Sequence, residues 1–344
     1  MRWFAVLALV LSVWMPELGR AQRYKFKYFV EIPPQHYVSP TYRSTFRSLS
    51  IPTQTNQNRE VLEAFRQPEK GRIQVDLAPV YGTAVISSTG ADGSRRSVSE
   101  SRVLSFLTRY GLSDATSVTF ATDYGWWEKS GASLTNPDEA ASGSGLSDLR
   151  IGILTNREFS ARSKVFYGFE AGLSLSKKEE GGKSANGTAV VGNRFSGGHS
   201  LSPAIGWQYK AEGNWLVGVR ADVTLRQEKR LVTADNREKS ESKRNSLAVA
   251  GLFEKKSDYG LFGGEIGHEW AEPYSVAAEG GPIEYRDSQN ILSLTVYWLK
   301  EVKKDLAIKP SFTYSTVPDR EHVAGYRFDQ YDVMSLQVLM RMEL

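Results

Sequence analysis

From Met334 to Leu344 apolar and polar side chains alternate with a period of two. Met334, Leu336, Val338, Met340, Met342 and Leu344 share one parity. Ser335, Gln337, Arg341 and Glu343 share the other, with Leu339 the one exception. A two-residue period describes an extended strand with one apolar and one polar face. The pattern recurs upstream. Between 214 and 226, Trp215, Val217, Val219, Ala221, Val223 and Leu225 oppose Arg220, Asp222, Thr224 and Arg226. Between 304 and 316, Leu306, Ile308, Pro310, Phe312 and Tyr314 oppose Lys309, Ser311, Thr313 and Ser315. Between 163 and 176, Val165, Tyr167, Phe169, Ala171, Leu173 and Leu175 oppose Gly168, Glu170, Gly172 and Ser174.

Twelve segments read this way: roughly 72–85, 98–110, 115–127, 147–156, 163–176, 198–210, 214–226, 245–254, 258–270, 289–300, 304–316 and 329–344. The joins between them alternate. Those at 111–114, 157–162, 211–213, 255–257 and 301–303 are short, and those around 86–97, 128–146, 177–197, 227–244, 271–288 and 317–328 are long. Tight turns at one end and long loops at the other describe an all-β fold, a transmembrane antiparallel up-and-down β-barrel of about twelve strands. A soluble sandwich spaces its turns more evenly. An even strand count puts both termini on the periplasmic side. A terminal amphipathic strand is how outer-membrane barrels finish, so the barrel-assembly machinery is an expected partner.

The chain of 344 residues is 40% hydrophobic, carries a formal charge of +4 and contains no cysteine. Its mean hydropathy of −0.38 resembles that of a soluble protein. A barrel has the same average, because only half of each strand meets lipid. The missing cysteine excludes disulfides, thiolate metal sites and a lipid-modified N-terminal Cys. Met1-Arg2, the apolar run Trp3 to Trp14, Pro16, and small residues at Gly19 and Ala21 form a signal peptide over 1–21, cleaved before Gln22. That apolar run is too short to span a bilayer as a helix. Residues 22–71 hold Pro33-Pro34, Pro40, Pro52 and Pro68 and form a periplasmic arm or partial plug. Residues 72–344 form the barrel.

Which face meets lipid follows from cost, since an Arg or Lys facing lipid at mid-depth costs about 2–4 kcal/mol. Arg150, Glu170, Arg220, Asp222, Glu265, Lys309, Arg341 and Glu343 are therefore expected to point inward. Trp126, Trp127 and Trp270 fall at the long-loop ends, and Trp207, Trp215 and Trp298 at the short-turn ends. Two such belts are the expected anchors at the two membrane interfaces. Twelve strands spaced about 4.8 Å and tilted about 40° give a backbone diameter of roughly 24 Å. Side chains leave an opening of about 10 Å unless it is plugged.

The four histidines, His36, His199, His268 and His322, are scattered, so no metal and no cofactor is expected. The basic residues of 227–244 are interleaved with Glu228, Asp235, Glu238 and Glu241, a solvated loop that excludes a nucleic-acid patch. Such a loop suits outer-membrane lipid and the phosphates of lipopolysaccharide. A barrel phospholipase needs His-x-Ser on one strand face. In His199-Ser200-Leu201-Ser202 the residue sharing the histidine's face is Leu201, so catalysis is not expected.

Arg109-Tyr110-Gly111-Leu112-Ser113-Asp114, followed by Ser117-Val118-Thr119-Phe120, and then Gly145-Leu146-Ser147-Asp148-Leu149-Arg150-Ile151-Gly152, carry a likeness to a known family. Over about 100–344 the chain resembles the outer-membrane proteins of the meta-pathway of phenol degradation, distant relatives of the fatty-acid type of hydrophobic-compound transporter. The motifs read as turns, with Gly111 at positive φ and Asp114 or Asp148 as caps. The resemblance implies an outer-membrane barrel for small apolar solutes. The expected function is passive uptake of a small, aromatic or hydrophobic solute, with Arg150, Glu170, Arg220, Asp222, Lys309 and Arg341 lining the pathway. The rival is a non-conducting structural or surface-interaction protein acting through its long loops.

Overall fold

The computed structural model describes residues 61–90, 93–130, 140–179, 182–183, 189–192, 194–232, 237–279, 283–286, 288–303, 305–317, 320–322 and 326–344. The expected signal peptide and most of the 22–71 arm lie outside the described residues.

The chain enters the wall with β1 (Ile73–Gly90), β2 (Gly93–Ser113) and β3 (Thr116–Ser130). The next wall position is made in two pieces, β4 (Ala140–Leu146) and β5 (Leu149–Ser160), and is followed by β6 (Ser163–Leu173). Three short loop strands come next: β7 (Lys178–Glu179), β8 (Gly182–Lys183) and β9 (Ala189–Gly192). Two wall strands, β10 (Ser200–Lys210) and β11 (Trp215–Arg226), lead to β12 (Lys229–Val232) and β13 (Glu238–Glu241) above the wall. Then come β14 (Ser246–Ser257), β15 (Gly260–Ala271), β16 (Tyr274–Ala278), β17 (Ile283–Arg286), β18 (Gln289–Lys303) and β19 (Leu306–Val317). The chain finishes with β20 (Arg320–His322) and β21 (Tyr326–Glu343).

Each wall strand pairs antiparallel with its neighbours, and β21 returns to β1 through pairs such as Gln74↔Glu343 and Thr83↔Met334. With β2 joined to both β1 and β3, the twelve wall positions close on themselves among the described residues. Closure pairs the strand edges everywhere but at the seam beside β4, and in hydrocarbon an unpaired backbone group costs several kcal/mol. Side-chain exposure follows the alternation. Val219, Ile205, Ile266, Phe169, Phe120 and Leu336 are exposed outward, while Arg220, Glu265, Asp123 and Arg341 are buried within. This is the inside-out partition of a transmembrane barrel.

Leu339, the apolar intruder on the polar parity, joins an interior cluster with Ala78, Leu107, Ala121, Leu299 and Ala307. Part of the lumen floor is thus packed like a core. Mid-strand Pro310 also finds its reason. Pairing of β18 with β19 holds at Tyr297↔Ser311, lapses, and resumes at Lys300↔Ile308, so the proline stands where this ladder is interrupted.

Two features differ from the sequence reading. The long joins at 177–197, 227–244 and 271–288 are not plain loops. β7, β12, β13, β16 and β17 pair into a five-stranded sheet above the wall. Its strands have water on the outside, so no strong two-sided apolar pattern marks them. Gly111 does not take the expected positive φ, since that conformation is found at other glycines. It lies inside β2, where a Cβ would stand 2.0 Å from the Glu69 carbonyl oxygen. Its smallness admits the segment before β1, joined there by the Lys70↔Gly111 bridge and a 2.8 Å hydrogen bond from the Gly71 N–H to the Gly111 carbonyl.

Candidate functional site

Before β1 the chain crosses the short-turn mouth of the barrel, with residues 61–67 inside it. Glu63–Phe65 forms one 3-10 turn. Val61, Leu62 and Phe65 pack with the wall residues Phe166, Leu216 and Leu252 in one apolar cluster. The Phe65 ring stacks on Phe166 with centroids 4.3 Å apart and planes 11° from parallel. Two inward glycines make room for this hatch. A Cβ on Gly206 would lie 2.3 Å from Phe65 Cζ, and one on Gly218 would lie 2.5 Å from Leu62 Cδ1.

Polar contacts also tie the segment to the wall. The Leu62 N–H donates to Gln208 Oε1 at 2.8 Å, and the Glu63 N–H donates to Glu254 Oε1 at 2.5 Å. Lys309 Nζ lies 3.3 Å from Glu63 Oε1 and 4.7 Å from the centroid of the Tyr297 ring. Tyr297 Oη donates to Glu254 at 2.6 Å. Asn156 donates to Gln67 Oε1, and Arg109 to the Arg66 carbonyl. Burial lowers the Arg66 guanidinium to about 10, with Glu63 acting in the opposite direction, so it stays a cation at neutral pH. The backbone groups of Leu62, Glu63 and Arg66 are thus held by wall side chains, in contrast to the strand-to-strand ladders of the wall.

All six residues expected to line the route point into the barrel, but they divide in two. Arg341 and Asp76, each 0% exposed, form a bidentate pair at 2.6 and 2.7 Å in the lower wall. With Lys309 held against Glu63, these two cations belong to the lower lumen. Above them Arg150 pairs with Asp123 at 3.0 Å, and Arg220 lies 3.2 Å from Glu265 and 3.7 Å from Asp222. Glu170 stands on the inward face of β6 opposite Gly152 and Ser202. These four line the upper lumen. Of the tryptophans, Trp126 and Trp270 are exposed outward at the loop end, and Trp207, Trp215 and Trp298 at the turn end. Trp127 has the inward parity of Asp123 and Gly125 and does not join the outer belt.

Sequence reading missed Glu63, Phe65, Gln208 and Glu254. The hatch carries no periodicity, and Gln208 and Glu254 look like any other inward polar residue. The only signal was the pair of inward glycines, Gly206 and Gly218.

The break between β4 and β5 is the wall's other irregularity. Thr122 and Asp123 of β3 face Ser147, Asp148 and Leu149, one residue more. Ser147 braces the bulge, its N–H donating to the Asp123 carbonyl at 2.7 Å and its Oγ accepting the Asp123 N–H at 2.9 Å. Pairing of β5 with β6 ends at Leu149↔Leu173. Above that point the loop at 194–198 covers the seam. Asp148 Oδ1 accepts the Ser196 N–H at 2.9 Å, and Ser174 Oγ accepts the Gly197 N–H at 3.0 Å. The second of the two resemblance motifs therefore builds this bulge and ties down its cover. Nearby, His199 Nδ1 accepts the Ser174 N–H at 3.2 Å.

No family model matches the sequence, and no curated protein matches it. Among solved structures, an outer membrane channel from Pseudomonas putida F1 is similar in fold, with a TM-score of 0.53 at 12% identity over 85% of this chain and 100% of that one. This chain has the fold of an outer-membrane barrel. Weaker likenesses include a deletion mutant of the TodX monoaromatic hydrocarbon channel, with a TM-score of 0.47 at 10% identity over 86% of this chain and 96% of that one. A FadL homologue from Pseudomonas aeruginosa has a TM-score of 0.42 at 10% identity over 86% and 99%. At that distance they add nothing to the fold assignment.

Proposed function

We propose that this protein is an outer-membrane channel for passive uptake of a small, aromatic or apolar solute, and that residues 61–67 are the closed state of its periplasmic mouth. One observation carries the reading. The cylinder is complete without the hatch, and the hatch is secured to it by side-chain contacts that can be remade. A solute entering from outside meets Glu170, Asp222, Arg220 and Arg150 first, then the apolar surface of the hatch cluster. Charged rings above a narrow floor select by electrostatics and size.

Planar-bilayer recordings of the full chain and of a chain lacking 22–67 test this. The shortened chain is expected to conduct in long openings and the full chain in brief, rare ones. Silence from both would remove the channel reading. The export signal is tested alongside by N-terminal sequencing, with Gln22 expected as the first residue.

The five-stranded sheet keeps one rival open to test. Its outermost strand β17 exposes Ile283 and Tyr285. An inert barrel that loses a surface-binding activity when this strand is replaced would favour the loops as the seat of function.

A further inference from the structure

We infer that the lipid-facing surface of β11, β14, β15 and β18 binds an anionic phospholipid, with its phosphate between Lys255 and Lys300 and an acyl chain running along β14. The inference goes beyond the channel reading. It needs only the membrane-spanning wall and stands whether or not a solute passes.

The head of the site is a cross-strand row at the short-turn end. Trp215 pairs with Lys255, Lys255 with Phe262 and Phe262 with Trp298, and all four are exposed on the outward face. Lys255 Nζ stands 5.1 Å from the centroid of the Trp215 ring, which restrains the ammonium and leaves N–H groups open to an acceptor. On the other side the Phe262 and Trp298 rings stack with centroids 6.1 Å apart, and the Trp298 indole N–H donates to the Tyr259 carbonyl at 3.3 Å. Gly260, at φ +134°, makes room for that indole, since a Cβ there would lie 2.7 Å from Trp298 Nε1. Lys300 lies two residues beyond Trp298 on the same parity and is exposed. Two strand spacings, about 10 Å, separate the two lysines across the wall, so their long side chains converge on one phosphate.

These cations lack a counter-charge. Elsewhere Lys164, Lys229 and Lys309 pair with Glu158, Glu241 and Glu63. Among the described residues no carboxylate forms an ion pair with Lys255 or Lys300. The acids beside them on the same strands, Glu254 and Glu301, take the inward parity. An exposed pair of unneutralised ammonium groups within an aromatic belt suits a lipid phosphate.

The tail of the site lies along β14. Val219, Gly251 and Ile266 stand side by side on the outward face. Val219 and Ile266 project at 50% and 62% exposure, whereas a Cβ on Gly251 would meet nothing within 4 Å. The wall is therefore dented at Gly251 between two projecting side chains. Lys255 shares that strand and face four residues away, about 13 Å along the strand. The Phe253 ring between them lies over β15, because a Cβ on Gly264 would stand 2.6 Å from Phe253 Cζ. A headgroup held at Lys255 thus directs an acyl chain into the dent. A zwitterionic headgroup carries its own cation to the same place and is disfavoured.

Native mass spectrometry of the full chain in detergent tests this with dioleoyl phosphatidylglycerol and dioleoyl phosphatidylethanolamine, which share their chains and differ in charge. Phosphatidylglycerol is expected to bind about tenfold more tightly, as two lysines beside an anionic lipid provide. Lys255→Gln with Lys300→Gln is expected to bring it down to the phosphatidylethanolamine level, and Lys255→Arg with Lys300→Arg to preserve it. Gly251→Leu fills the dent and is expected to weaken both lipids several-fold. Heat-modifiable migration on gels confirms that each variant is folded. Equal binding of the two lipids by the native chain, or undiminished phosphatidylglycerol binding by the double Gln variant, overturns the site. An unchanged affinity in Gly251→Leu overturns the placement of the acyl chain. Silence in the bilayer recordings removes the channel and leaves this binding as it is.

Discussion

Arg341 and Asp76 are sealed from water on every side, yet both are ionic. A buried pair of this kind is costly to desolvate and contributes little net stability, but loss of one partner leaves an unmatched charge and costs about 3–5 kcal/mol. Arg341→Met alone is therefore expected to lower the unfolding free energy by that amount in urea titrations of the refolded barrel. Asp76→Leu with Arg341→Met is expected to recover most of it. Gly206 makes the opposite kind of residue-level prediction. The three atoms that a methyl there would meet first all belong to the Phe65 ring, the far end of a side chain. Gly206→Ala is expected to leave the barrel folded, to displace the hatch and to raise open probability in bilayers several-fold. Parity in the sequence placed Arg341 inside. Its partner was out of reach, because Asp76 lies 265 residues away and no local pattern couples them. Leu339 and Pro310 likewise looked like exceptions until the interior cluster and the interrupted ladder accounted for them.

The wall strands were legible because lipid punishes error. Val219 and Arg220 are adjacent on β11, one 50% exposed and one 4%. Moving the charge by one position, as in Val219→Arg, is expected to cost about 2–4 kcal/mol when refolding into lipid vesicles is measured against urea. The reference change Val219→Leu is expected to be near neutral. That asymmetry wrote the period of two into every segment that crosses the membrane. Outside the membrane the constraint lifts, and legibility goes with it. In the upper sheet Leu231 and Tyr274 are buried, with the Arg244 guanidinium 4.7 Å over the Tyr274 ring and hydrogen-bonded to Gln289. Only a few side chains define that small core, too few to rise above the Lys, Arg and Glu around them. The hatch was harder still. It has no repeating backbone partner, so its position is set by long-range contacts to β10, β14 and β19 that no local reading contains.

At the scale of the molecule, wall and contents are separable. The wall closes through ladders that run along all twelve positions, whereas the hatch buries Leu62 and Phe65 for about 1.5–3 kcal/mol apiece and adds its polar contacts. A chain lacking 22–67 is thus expected to refold to the same barrel, seen as heat-modifiable migration on gels. What such an open barrel passes depends on the charges that remain. In the upper lumen the carboxylates Asp123, Asp148, Glu170, Asp222, Glu265 and Glu269 outnumber the guanidinium groups of Arg150, Arg194, Arg220 and Arg226 among the described residues. An acidic ring above a low-dielectric wall concentrates cations and repels anions. The reversal potential of the shortened chain in a potassium chloride gradient is therefore expected to fall on the cation side. Asp222→Asn removes one carboxylate beside Arg220, leaves that guanidinium to Glu265, and is expected to move the potential toward zero. A shift in the anionic direction at the outset would mean that the carboxylates are spent on their partners and that the arginines set the field. The solute would then be screened by the basic side of each pair, and the apolar cluster around Phe166 would receive anions in preference to neutral solutes.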